Sequence, residues 1–177
     1  VLLAAPLLAL PATAQTGDMA GMHGRHDFPQ TLADWAHGAQ LLPDLGDFHR
    51  DAGTKVPAAQ AYFDQGMRLL WAFNHDEAAR SFARAAEADP RCGICHWGVA
   101  LALGPNYNMP MMAEARARVA WDALKKAEAL APGATPANRA LILALARRYT
   151  GPQPVDPSNS APLLAASGDA MQGAAKA

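Results

Sequence analysis

An all-α protein of paired helices is the architecture this sequence predicts, and three observations carry the prediction. Of the 177 residues about 40 are alanine, the strongest helix former and small enough to let helices approach closely. β-branched residues are scarce, which argues against a sheet. From Pro57 to Tyr149 apolar residues recur at spacings of three, four and seven, punctuated by Gly and Pro. The chain is 51% hydrophobic with a net charge of -1, which gives no electrostatic ground for binding nucleic acid or an anionic membrane surface. Two cysteines are too few for a disulfide framework, so the core has to come from packing.

Residues 1–14 read as a signal peptide whose basic n-region is missing. Val1–Leu10 is the apolar stretch, and Pro11-Ala12-Thr13-Ala14 supplies the A-x-A site, with cleavage expected after Ala14. The run is too short to span a bilayer as a helix, and no cysteine follows it to carry a lipid anchor. The expectation is export, to a bacterial periplasm. Residues 15–56 are expected to be irregular and flexible. Met19, Met22, His23 and His26 lie there among Gly and Asp as a spacer, with copper binding the sharper alternative because thioether and imidazole suit that metal. Leu32, Trp35, Leu41, Leu42, Leu45 and Phe48 make residues 28–48 too apolar for a free linker, so that stretch is expected to pack on the helices downstream.

Pro57 suits a first helical turn and opens a helix carrying Ala61, Tyr62, Leu69 and Phe73. Asn74 caps a second, with Asp76 and Glu77 where the helix dipole favours acids, running to about Ala88 ahead of Pro90. Residues 92–103 make a third, stopped by Gly104-Pro105; residues 111–130 a fourth, ahead of Pro132; and Thr135-Pro136 starts a fifth that ends near Tyr149. Residues 151–177 are rich in Pro, Ser, Gly and Ala, and a disordered tail is expected.

Helices in pairs joined by short turns invite a repeat test. Tyr62, Gly66, Ala78, Phe82, Ala85 and Pro90 occupy six separated sites of fixed residue size, and residues 59–92 thereby resemble a tetratricopeptide repeat (TPR), a unit of about 34 residues. Gln65 departs from the pattern, which prefers Leu. Ala120, Leu124, Ala127 and Pro132 repeat the later sites, and His96 and Ala100 take the aromatic and small sites of that unit's first helix. Pro90 and Pro132 are 42 residues apart, which places an insertion at residues 104–112. The segments YFDQGMRLLWAFNHDEAARSF and HWGVALALGPNYN are similar to exported bacterial TPR proteins. The resemblance covers residues 57–150: 57–90 as repeat 1, 91–132 as repeat 2, and 135–150 as a lone helix of repeat 3. It implies about two and a half units in a short right-handed solenoid, with disordered or loosely packed ends.

Such arrays bind protein or peptide segments in a groove lined by the first helix of each pair. The residues left over from packing, Gln60, Phe63, Met67, Leu70, Trp71, Ile94, Trp97 and Leu101, are expected to line it. Either a partner or residues 28–48 of the same chain would fill so apolar a surface. Two and a half units also suggest a piece of a longer array.

Cys92-Gly93-Ile94-Cys95-His96 carries the loudest chemistry. C-x-x-C-H is the attachment sequence of c-type haem, with Met109, Met111 or Met112 as a distal ligand. Against haem, His96 falls in an aromatic packing site between helices that small residues bring close. A Cys92–Cys95 disulfide is the reading preferred for an exported chain, a redox-active dithiol a further one, and zinc with His75 and His96 another. Asn106-Tyr107-Asn108, in the insertion, is a polar cluster on an enlarged loop. No nucleophile elbow, H-E-x-x-H, phosphate-binding loop or dinucleotide fingerprint occurs, so the reading is a binding module without catalysis or cofactor.

Overall fold

The computed structural model describes residues 29–106 and 112–174. Among them are seven α-helices and no strand: α1 (Leu32–Ala36), α2 (Pro57–Trp71), α3 (His75–Ala88), α4 (Gly93–Leu103), α5 (Glu114–Leu130), α6 (Pro136–Ala146) and α7 (Pro157–Ala174). Residues 1–14, the Met19-to-His26 tract and residues 107–111 lie outside the description, so the expectations placed there are not addressed by it.

Local chemistry accounts for the helix ends. Thr31 and Asp34 form a reciprocal capping box on α1, in which the Asp34 carboxylate accepts from the Thr31 and Gln30 amides. The Thr31 side chain first, and the Gln30 amide with it, hold the Asp34 carboxyl below the usual range. Pro57 sits in the first turn of α2. At the other end of α2 the Asn74 amide donates to the Leu69 carbonyl and the Phe73 amide to the Leu70 carbonyl, the paired bonds of a Schellman turn. Phe73 therefore occupies the left-handed position, at φ 61°, where glycine is the usual residue. Asn74 then caps α3, and Thr135 caps α6 through the Asn138 amide.

Every residue of α4 except Leu101 is buried. A helix apolar all round has to lie at the centre of its domain, and α4 packs against α3 and α5 while also touching α2 and α6. Helices α2 and α3, α4 and α5, and α6 and α7 form successive packed pairs. The wholly buried Phe82 ring of α3 joins the first two pairs: a Cβ built on Gly66 of α2 would stand 2.6 Å from it, and one built on Gly98 of α4 would be closer still. Phe63 packs on the same ring, centroid to centroid 5.6 Å. Further along, Tyr149 donates from its hydroxyl to the Ala100 carbonyl against Gly104, and burial pushes the phenol well above its ordinary pKa.

The tail corrects the expectation of disorder over 151–177: residues 157–174 form α7, which packs on α6 and gives the lone helix of 135–150 a partner. Pro162 lies inside it, and its composition is what suggested disorder. The start is fixed by Asp156, whose carboxylate accepts from the Ser158 amide and hydroxyl and is held below the usual range by them. Burial of Val155 and Leu164, together with the small Ser160 and Ser167, supplies the rest.

Gly98→Ala is expected to lower the unfolding free energy by about 1–3 kcal/mol, because the added methyl meets a ring that backbone on the far side prevents from retreating. Chemical denaturation would measure it, and Phe82→Leu in the same chain should recover part of the loss.

Candidate functional site

The expected groove is not an open apolar channel. Phe63, Met67, Ile94 and Trp97 are buried, Leu70 and Leu101 are half-buried, and of the residues assigned to that surface Trp71 alone is largely exposed, at 71%. The physical reason lies in the small residues at the helix crossings. Gly66, Gly98, Ala78 and Ala100 leave volume that only large neighbours can fill, so Phe63 turns onto Phe82. Trp97 turns toward α6, where its indole N–H donates to the Leu141 carbonyl at 3.1 Å.

A strap, residues 38–56, covers α2 instead. It is held by side-chain hydrogen bonds to its backbone. Gln65 accepts from the Leu42 amide (2.7 Å) and donates to the Gln40 carbonyl (2.8 Å), and Tyr62 donates to the Ala39 carbonyl. Gln60, Asp64 and Arg68, spaced four apart on one face of α2, continue the ladder. Arg68 donates to the Phe48 carbonyl, while Asp64 accepts from the Arg50 amide and Gln60 holds both the Ala52 amide and the Arg50 carbonyl. His49 Nδ1 lies 2.8 Å from the other Asp64 oxygen. Beyond α2, the Arg50 guanidinium donates to Asn138 of α6, and Asn138 donates to the Asp51 carbonyl. Ahead of the strap, α1 packs on α3, with Trp35 buried beneath the guanidinium groups of Arg80 and Arg116. Of these residues, sequence reasoning places only Gln60 on the binding surface; the fourfold polar spacing along α2 is a signal that marks Asp64 and Arg68 as well.

Exposed aromatic surface concentrates where the strap meets the end of α2. Phe48 and Trp71 approach with ring centroids 6.5 Å apart, and Phe73, 70% exposed, lies edge-on to His75 at 6.3 Å. Leu41 and Leu42 of the strap are also exposed.

Cys92 and Cys95 are joined by a disulfide, and the Cys92 sulfur caps α4 by accepting from the Cys95 amide. The residues do not fit a covalently attached haem in this arrangement. The sulfurs are bonded to each other, Cys95 is wholly enclosed, and the His96 ring is turned so that Nε2 lies 3.2 Å from the Pro90 carbonyl oxygen. Among the described residues no group of three or more His, Cys, Asp or Glu stands together as a metal site, and His75 sits at the start of α3 beside Phe73. Burial lowers the pKa of both His75 and His96. Met112 packs against the core, while Tyr107, Asn108, Met109 and Met111 lie outside the described residues.

The described part is thus an all-α protein whose first helical pair is strapped by its own upstream segment. No protein-family profile, curated protein or solved structure matches the chain. No helix among the described residues is long and apolar enough to cross a membrane.

The buried polar groups can be tested in two ways. Asp64→Ala strands the Arg50 amide and leaves Gln60 with one partner fewer, at a cost of about 1–3 kcal/mol. The strap should then be cut preferentially in limited proteolysis. The other test concerns pH. An unfolded His96 takes up a proton near pH 6.5 while the buried one resists, so its contribution is full above about pH 6.5 and is lost as the pH falls below it. His96→Phe should flatten the decline of melting temperature between about pH 7.5 and 5; an unchanged slope would contradict the role given to His96.

Proposed function

We propose that the chain is a TPR-like interaction module of an exported protein, with three helix pairs in a short right-handed solenoid, acting by binding rather than by catalysis. The repeat reading is supported by the succession of packed pairs, by Gly66 set close against Phe82, and by the complete burial of Ala78 and Ala85. The binding surface is the aromatic rim of Phe48, Trp71 and Phe73, in place of the groove assigned to Phe63, Ile94 and Trp97. The partner is a protein or peptide segment presenting apolar side chains. Export rests on residues 1–14 alone.

Phe73 carries this reading. An exposed phenyl group in a left-handed backbone position adds strain of about 1–3 kcal/mol and leaves apolar surface in water, where glycine would close the same turn without either. Stability gives no reason for phenylalanine at this position; contact with a partner does. Trp71, two residues earlier and likewise exposed, is a side chain of the type that dominates binding energetics.

Phe73→Gly is expected to raise the unfolding free energy by about 1 kcal/mol while lowering capture of the partner at least tenfold, a combination that loss of fold cannot produce. Trp71→Ala should lower capture similarly with the circular dichroism spectrum retained. Immobilised chain exposed to periplasmic extract, with each variant alongside, measures both; capture undiminished by either substitution overturns the assignment.

A further inference from the structure

Beyond partner binding, we infer that the Cys92–Cys95 disulfide is a thiol–disulfide exchange site whose attacked sulfur is that of Cys92 and whose co-substrate is an external dithiol. Its two sulfurs are not equivalent. Cys92 forms part of the wall of a cavity of about 560 Å³, lying between the strap, the start of α4 and the cap of α6, and keeps 4% of its surface exposed; Cys95 is 0% exposed behind it. Of the two cysteines, only Cys92 belongs to the cavity wall, and that makes its sulfur the one assigned as the point of attack.

The cavity also suits the charge that exchange creates. Lys55 and Arg91 belong to its wall. Asp89, the acid in the same wall, has its oxygens engaged by the Thr54 hydroxyl and the Arg91 amide. The Cys95 amide that donates to the Cys92 sulfur in the oxidised chain is placed to donate to a Cys92 thiolate after reduction. A bridge across three positions closes too short a loop to stabilise the fold much through chain entropy. His96 and its contact with Pro90 do not involve either sulfur, so the helix start has other fastenings.

The step balances as ordinary exchange. A thiolate of the external dithiol attacks Cys92 Sγ, forming a mixed disulfide and breaking the Cys92–Cys95 bond. The electron pair leaves on Cys95 Sγ, which takes a proton. The second thiol of the donor, deprotonated, attacks the donor sulfur of the mixed disulfide and releases Cys92 as a thiolate. The donor ends as a disulfide, having given two electrons to the chain.

Two measurements test the site. Intact chain equilibrated with dithiothreitol or with glutathione buffers in native conditions should undergo reversible two-electron reduction with its far-ultraviolet circular dichroism unchanged. In parallel, Cys95→Ser treated with oxidised glutathione should form the mixed disulfide at Cys92 at least tenfold faster than Cys92→Ser forms it at Cys95, read by mass spectrometry. Reduction of the intact chain only after denaturant is added, or faster labelling at Cys95, overturns the inference. Should either single variant fail to fold, the equilibrium with intact chain still decides it.

Discussion

The seating of the Phe82 ring between two glycines is the contact on which the rest of the described structure depends. With Gly66 on one side and Gly98 on the other, α3 holds α2 and α4 at separations that no residue with a Cβ would allow. Alanine does the same work less strictly elsewhere: Ala78, Ala79, Ala83, Ala85 and Ala86 of α3, with Ala100 of α4, are wholly or almost wholly buried. The space that these small residues leave is filled by a few large side chains. That is why Phe63 and Trp97 turn inward and no apolar channel opens beside them.

Because the large residues are drawn inside, the outer face of α2 is left polar, and polarity is what the strap uses. Gln60, Asp64, Gln65 and Arg68 address the strap through its amides and carbonyls, so the interaction depends little on which strap side chains are present. Gln65 is instructive. A polar residue at a site where apolar packing is expected, it is nevertheless buried and binds both the strap and Ser81 of α3. A leucine there would leave the Leu42 amide and the Gln40 carbonyl without these partners. Gln65 is therefore an anchor that ties the strap to the first helical pair.

Helix positions between Pro57 and Ala146 are legible in the sequence because local signals mark them: Pro57, Asn74, Gly104 and Thr135 each stand within a residue or so of a boundary. Which face of a helix looks inward is less legible. The face opposite the packing sites reads as a groove, whereas the volume released by Gly98, a position the repeat pattern does not single out, recruits residues from that face as well. The tail misleads for a related reason. Its Pro and Ser content lowers intrinsic helicity, but Asp156 caps it and Leu164 reaches the core, so tertiary packing overrides propensity. Apolar content is enough to place residues 28–48 against the helices, but not to show how they are held: side chains of α2 grip the strap's backbone, and no periodicity of its own side chains records that.

Where local rules agree throughout a region, stability is reason enough for its residues; where they conflict, another constraint is acting. Along α2 the conflict sits at one end. The strap's amides and carbonyls are met, the Schellman bonds close and Asn74 caps the next helix, yet the turn carries phenylalanine in a glycine conformation. Trp71 and Phe48 form a second exposed aromatic patch from two separate segments, one on α2 and one on the strap. Arg68 binds the Phe48 carbonyl and so sets Phe48 beside Trp71. The strap thereby does more than cover α2: by fixing Phe48 against the helix end it completes an aromatic surface that neither segment would present alone.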